Sequence, residues 1–85
     1  MRTKYPHFHF HFAGKSKSGK TSMWDCYSNA NDAYLGTVKW KGQWRQYAMY
    51  YEEITKMWMN SSCLRDVADF CDQVNDLRKK GMIDV

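Results

Sequence analysis

The sequence predicts an α+β fold: a small antiparallel β-sheet of three to four strands with one C-terminal helix packed on one face. Three observations carry this. The stretch "YLGTVKWKGQWRQYAMYY" is rich in β-branched and aromatic residues and is broken once, at Gly42-Gln43, as two strands and a turn would be. From Leu64 onward, Leu64, Val67, Ala68, Cys71, Val74 and Leu77 recur at three- and four-residue spacing with Phe70 beside them, the stripe of an amphipathic helix. Near the amino end, "YPHFHFHFAG" alternates strictly and, if extended, puts His7, His9 and His11 on one side and Phe8, Phe10 and Phe12 on the other.

Residues 1–20 read as a basic N-terminal arm with a candidate added strand at 7–12, and residues 21–85 as a single α+β domain. Within the arm, "GKSKSGK" is a linker by composition. "TSMWDCYS" is a short strand that ends in the turn-forming "SNAND". In the hairpin, a two-residue Gly-Gln loop sets Lys41 opposite Trp44, Trp40 opposite Arg45, Lys39 opposite Gln46 and Val38 opposite Tyr47. One face then carries Val38, Trp40, Tyr47 and Met49 with Arg45 at its end. The other carries Thr37, Lys39, Lys41, Trp44, Gln46 and Ala48. The first is expected to be core, and truncating a buried Trp40 to Ala is expected to cost about 3–5 kcal/mol. "ITKMWM" is a candidate further strand, and "NSS" supplies side-chain oxygens for a helix start. Asp66, Asp69, Asp72, Gln73 and Asp76 form the polar face of the helix, and Arg78, Lys79 and Lys80 close its last turn before Gly81.

Size bounds the rest. A chain of 85 residues holds one domain with a modest core, and aromatic residues make up 16% of it, which favours a packed globule despite a mean hydropathy of −0.76. No apolar run approaches the roughly 20 residues of a membrane span, so a cytoplasmic protein with no membrane partner is expected. Cys26, Cys63 and Cys71 are odd in number and lack C-x-x-C spacing, which predicts buried free thiols. The net charge of +4 is concentrated in the arm, where Arg2, Lys4, Lys15, Lys17 and Lys20 meet no acid. Such an arm fits a polyanionic partner or a solvated tail.

"GKSKSGKT", Gly14 to Thr21, matches the phosphate-loop pattern G-x-x-x-x-G-K-[ST] at every fixed position. A working loop needs a helix directly after it, whose first amides complete the anion cradle, and "SMWDCYS" lacks helical apolar spacing. The three lysines remain able to touch phosphates as a flexible arm. His7, His9 and His11 have no Cys or carboxylate near them in sequence to complete a metal site, and no Cys is paired with a His base. An enzyme and a cofactor are therefore not expected.

"LGTVKWKGQWRQYAMYYEE" followed by "CLRDVADFCDQVNDL" is similar to a group of small, mostly uncharacterised phage and bacterial domains with the pattern G-x-[IV]-K-W-x-G-x-W-R-x-Y, then C-L-x-D-[IV]-x-x-F. The resemblance covers about residues 23–77 and rests on Gly36, Lys39, Trp40, Gly42, Trp44, Arg45, Tyr47, Cys63, Leu64, Asp66 and Phe70. It implies a phage or prophage origin, hence a host-cell cytoplasm, and a β-sheet with a C-terminal helix.

Lys39, Lys41, Trp44 and Gln46, with Arg45 at the rim and Lys15, Lys17 and Lys20 in the arm, are the candidate ligand-binding residues. Lysines satisfy phosphates, an exposed Trp stacks on a base, and Gln reads a base edge or sugar. The expected role is a small non-enzymatic binding protein for nucleic acid or a nucleotide. The alternative is an inhibitor of a host or defence protein that works through Trp44, Tyr50, Tyr51 and Trp58 or through the acidic helix. A homo-oligomer is open to either.

Overall fold

The computed structural model describes residues 1–52 and 57–84. Four strands, β1 (Phe8–Lys15), β2 (Ser22–Ser28), β3 (Tyr34–Lys41) and β4 (Gln46–Tyr51), pair antiparallel in chain order, and the helix α1 (Ser61–Lys79) packs across one face. This is the predicted α+β architecture. Every strand follows its predecessor through a hairpin, so all sheet pairings are between neighbours in sequence.

The core is aromatic. Phe8 and Phe10 of β1, Trp24 and Cys26 of β2, Val38 of β3 and Tyr47 of β4 point at Val67, Phe70 and Val74 of the helix. Phe70 lies flat on Phe10 with ring centroids 4.0 Å apart, while Tyr5 and Trp24 meet it edge-on at 6.3 and 5.7 Å. Such ring pairs add to the transfer free energy of their buried area. Gly36 of β3 sits where any Cβ would overlap the backbone carbonyl oxygen of Tyr50 and approach Tyr51 Cα at 3.1 Å. Only glycine lets β4 come this close.

The helix start is as the sequence indicates. Asn60 caps it, its side-chain oxygen accepting the Cys63 N–H at 2.9 Å. Its buried stripe, however, is Cys63, Asp66, Val67, Phe70 and Val74, rotated by about one residue from the predicted one, so Leu64 is 51% exposed and Ala68 faces solvent. The reason is Asp66. Instead of lying on the polar face, its carboxylate is buried and accepts the His7 N–H at 2.8 Å, while His7 Nε2 meets Ser62 Oγ at 2.9 Å. A charged residue thus holds a core position by capping a strand entry, which apolar spacing alone does not reveal.

Further expectations change. The β3–β4 loop has four residues, not two: Lys41 pairs with Gln46, Trp40 with Tyr47, Lys39 with Ala48 and Val38 with Met49. Arg45 takes a left-handed φ of 55° to close it. Because the slip is an even number of positions, the two faces are the predicted ones. Trp40 is half-buried, lying against Tyr47 on one side and under the Arg78 guanidinium at 4.0 Å, so its truncation costs less than a fully buried Trp would. "GKSKSGK" is the β1–β2 turn, closed by Ser16 N–H to Thr21 O and Gly19 N–H to Ser16 O, both at 2.8 Å. Thr21 leads into β2, and no helix follows the phosphate-loop pattern. Of "ITKMWM", residues 54–56 lie outside the described residues, and Met57–Met59 form no strand.

The first residues are docked. Thr3 O accepts the Phe10 N–H and Tyr5 N–H bonds Phe8 O, each at 2.8 Å, and Gln73 of the helix holds both backbone groups of Arg2 at 2.7 and 2.8 Å. At the far end of the helix, Gly81 (φ 68°) and Met82 donate to Arg78 O and Leu77 O. This reversal returns the chain to the sheet. It carries Asp84, whose side chain is 1% exposed, onto Ser22, Tyr47, Lys15 and Arg78. The Ser22 N–H and Oγ donate to Oδ1 at 2.9 Å, Arg78 donates to Oδ2 at 2.9 Å, and the Tyr47 hydroxyl donates to Oδ2 as well.

Burial alone would push the Asp84 carboxyl up, but the hydrogen bonds from Tyr47, Ser22, Arg78 and Lys15 outweigh it and hold its pKa below the usual value. Tyr47, by burial and by its bond to Asp84, is pushed up to about 12. A depressed carboxyl contributes stability that is present above the unfolded pKa and is lost as pH falls through the folded one. Urea midpoints of the native protein should therefore decline below about pH 4. Asp84→Asn should be less stable at neutral pH and show a shallower acid decline. Equal acid slopes for the two proteins would remove Asp84 from the account.

Candidate ligand-binding face

Among the described residues, no helix or strand packs on the face of the sheet opposite the helix. Here β3 and β4 turn out Thr37, Lys39, Lys41, Gln46, Ala48 and Tyr50 by strand alternation, and the turn adds Trp44, 63% exposed. The Lys39 ammonium lies over the Tyr50 ring at 4.2 Å, and Lys41 is 5.9 Å from the Trp44 ring. Neither lysine pairs with a carboxylate among the described residues. Lys39, Lys41, Trp44, Ala48 and Tyr50 enclose a shallow concavity of about 270 Å³.

The β1–β2 half of the same face has different chemistry. His11, Asp25, Thr37 and Tyr50 lie in line across the four strands. Thr37 Oγ1 donates to Asp25 Oδ1 at 2.9 Å, and the Tyr34 hydroxyl bonds Thr37 at 2.6 Å. The His9 ring stacks on Tyr27 at 5.7 Å, and His11 meets Tyr27 edge-on. His9 Nδ1 bonds Asn29 Oδ1 at 2.7 Å, and its Nε2 lies 3.5 Å from Asp32. Among the described residues, no group of three or more His, Cys, Asp or Glu is placed to hold a metal ion. The face is thus basic on one side and aromatic throughout.

The predicted site residues divide. Lys39, Lys41, Trp44 and Gln46 come together on or beside this face. Arg45 lines a larger cleft on the other side of the turn, about 640 Å³, which Trp44 and Gln46 also line and whose helix wall carries Asp72 and Asp76 beside Arg78 and Lys79. Two acids and two bases leave that wall of mixed charge. Lys15 is engaged with Asp84 at 3.4 Å. Lys17 and Lys20 sit in the β1–β2 turn, which leaves the sheet at the same end as the Trp44 turn, two strand spacings or roughly 10 Å away.

Tyr50, 54% exposed and named above only for protein contact, and the Tyr27 group on β2 are face residues outside the predicted ligand-binding set. Tyr50 was legible as the next alternate position after Ala48 in β4. Tyr27 depends on the β2–β3 pairing, whose register shifts between Cys26 and Tyr27 and which no local turn rule fixes.

Two of the three thiols are quiet. Burial pushes Cys26 up to about 12 and Cys71 up to about 11, which disfavours the reactive thiolate. Among the described residues, no helix is long and apolar enough to cross a membrane. Comparison of the chain with family models, curated proteins and solved structures finds no match.

Proposed function

We propose that the protein is a non-enzymatic binding module for single-stranded nucleic acid, engaged on the open face of β3 and β4. The observation that carries this reading is the pairing, on one uncovered surface, of two exposed rings, Trp44 and Tyr50, with two lysines that have no carboxylate partner among the described residues. Rings accept unstacked bases and lysines neutralise the phosphates between them. Duplex bases are already stacked, so a strand is favoured over a duplex. Lys17 and Lys20, at the same end of the sheet, extend the basic track. With the origin implied by the family resemblance, the module acts in a host cytoplasm as a phage accessory protein.

Tryptophan fluorescence during titration with single-stranded DNA, RNA and duplex tests this at several salt concentrations. On a single strand each phosphate contact contributes about 0.7 to the salt slope, so Lys39→Ala with Lys41→Ala should lower it by about 1.4 with the circular dichroism unchanged. Trp44→Ala should weaken binding by about 1–3 kcal/mol. Salt-independent capture of a mononucleotide would point to a pocket instead.

A second reading, docking to a host or defence protein, is favoured by Trp58, which is 99% exposed beside the exposed Met57. Silence toward every nucleic acid, with salt-tolerant binding of one purified protein lost in Trp58→Ala, would select it.

A further inference from the structure

The two edges of the sheet are treated differently. On β1, the outward backbone groups of Phe8 and Phe10 are taken by Tyr5 and Thr3, so this edge is covered by the protein's own first residues. On β4, Asn75 of the helix does the same for one residue: its side-chain oxygen accepts the Tyr47 N–H at 2.6 Å and its amide donates to Tyr47 O at 3.2 Å. Since Tyr47 therefore faces away from β3, strand alternation turns the N–H and C=O of Met49 and Tyr51 outward too. No described residue bonds them beyond the sheet. The strand itself, "QYAMYY", contains no charge, proline or glycine, the devices that normally blunt an edge.

We propose that the Ala48–Tyr51 edge pairs antiparallel with the same edge of a second copy. The occupant follows from the chemistry of the strand. An uncharged edge meets its own two-fold image without repulsion, and an isologous contact needs only one surface. The block at Tyr47 also fixes the register. Pairing Met49 with the partner's Met49 would set Tyr51 against the partner's Tyr47, whose backbone groups Asn75 already holds. Pairing Met49 with the partner's Tyr51 uses only open groups and places the two Tyr50 residues opposite one another on the axis. Directly opposed aromatic residues in an antiparallel pair are favourable.

The pairing has a functional consequence. Tyr50 lies on the lysine face, so the two faces join into one continuous surface with the Tyr50 pair at its centre and a Lys39 beside each ring. This inference does not depend on the nucleic-acid reading, and its test contains no nucleic acid.

Sedimentation of the native protein between micromolar and about 1 mM should show a shift from 10.1 kDa to twice that mass. Over the same range, the Met49 and Tyr51 amides should become protected from hydrogen exchange. Under mild oxidant, Tyr50→Cys should give a reducible covalent dimer. Ala48→Cys should not, because the two copies of that position lie four residues apart along the strands, roughly 13 Å. Cys26 and Cys63 are buried and Cys71 is half-buried, so the unmodified chain, treated in parallel, is the control for cross-links through the native thiols. A chain that stays monomeric across the range overturns the proposal. So does a dimer in which Ala48→Cys cross-links as readily as Tyr50→Cys. A dimer with Met49 and Tyr51 still exchanging freely also overturns it, since the seam would then lie elsewhere.

Discussion

Replacing Phe70 with Ala should cost about 3–5 kcal/mol, a large part of the 5–15 kcal/mol that a small domain has in total. Phe70 is fully buried and packs against the rings of Tyr5, Phe10 and Trp24 together, so its loss leaves a void bordered by three rings that cannot all collapse into it. Urea denaturation followed by circular dichroism measures the effect. Leu64→Ala is the matched control: the residue is apolar and on the same helix, but exposed, and should shift stability by no more than about 0.5 kcal/mol. Comparable losses in the two variants would mean that the helix is rotated from the position described.

Gly36→Ala is the second large effect. The added methyl would overlap the Tyr50 carbonyl oxygen, a backbone atom held in the ladder between β3 and β4, so relief requires the strands to part. A loss of about 2–4 kcal/mol is expected, at or slightly beyond the usual range for overpacking because neither side can rotate away. Thermal melting should record it as a fall of roughly 10–25 °C, given about 4–8 °C per kcal/mol in a domain this size. A melting point unchanged within a few degrees would show that β4 does not approach β3 so closely there.

These two positions also mark how far the sequence could be read. The strand faces were legible because alternation has a period of two, so even a loop of the wrong length left Val38 and Tyr47 inside and Lys39 and Lys41 outside. The loop itself was not, since Arg45 adopts a conformation that glycine or asparagine would have advertised. The helix was legible by its spacing and cap, but its rotation was not. Asp66 and Gln73 look like surface residues until the chain's first segment is seen to end on them. The ion pair of Lys15 was hidden for the same reason: its partner, Asp84, lies 69 positions away. Of the candidate face, Lys39, Lys41 and Trp44 were readable from one hairpin, whereas Tyr27 and the histidines required two strand pairings that carry no local signature.

The Asp84 clasp bears on the order in which the protein assembles. Each hairpin joins near neighbours and the helix is local, so most of the structure forms without closing a long loop. The bonds from Lys15 and Ser22 to Asp84 span 69 and 62 positions and require that the sheet, the helix and the reversal at Gly81 already be in place. They are expected to form last in folding and to break first in unfolding. Contacts of that kind add little to the rate at which a chain finds its fold, and act chiefly by slowing its escape.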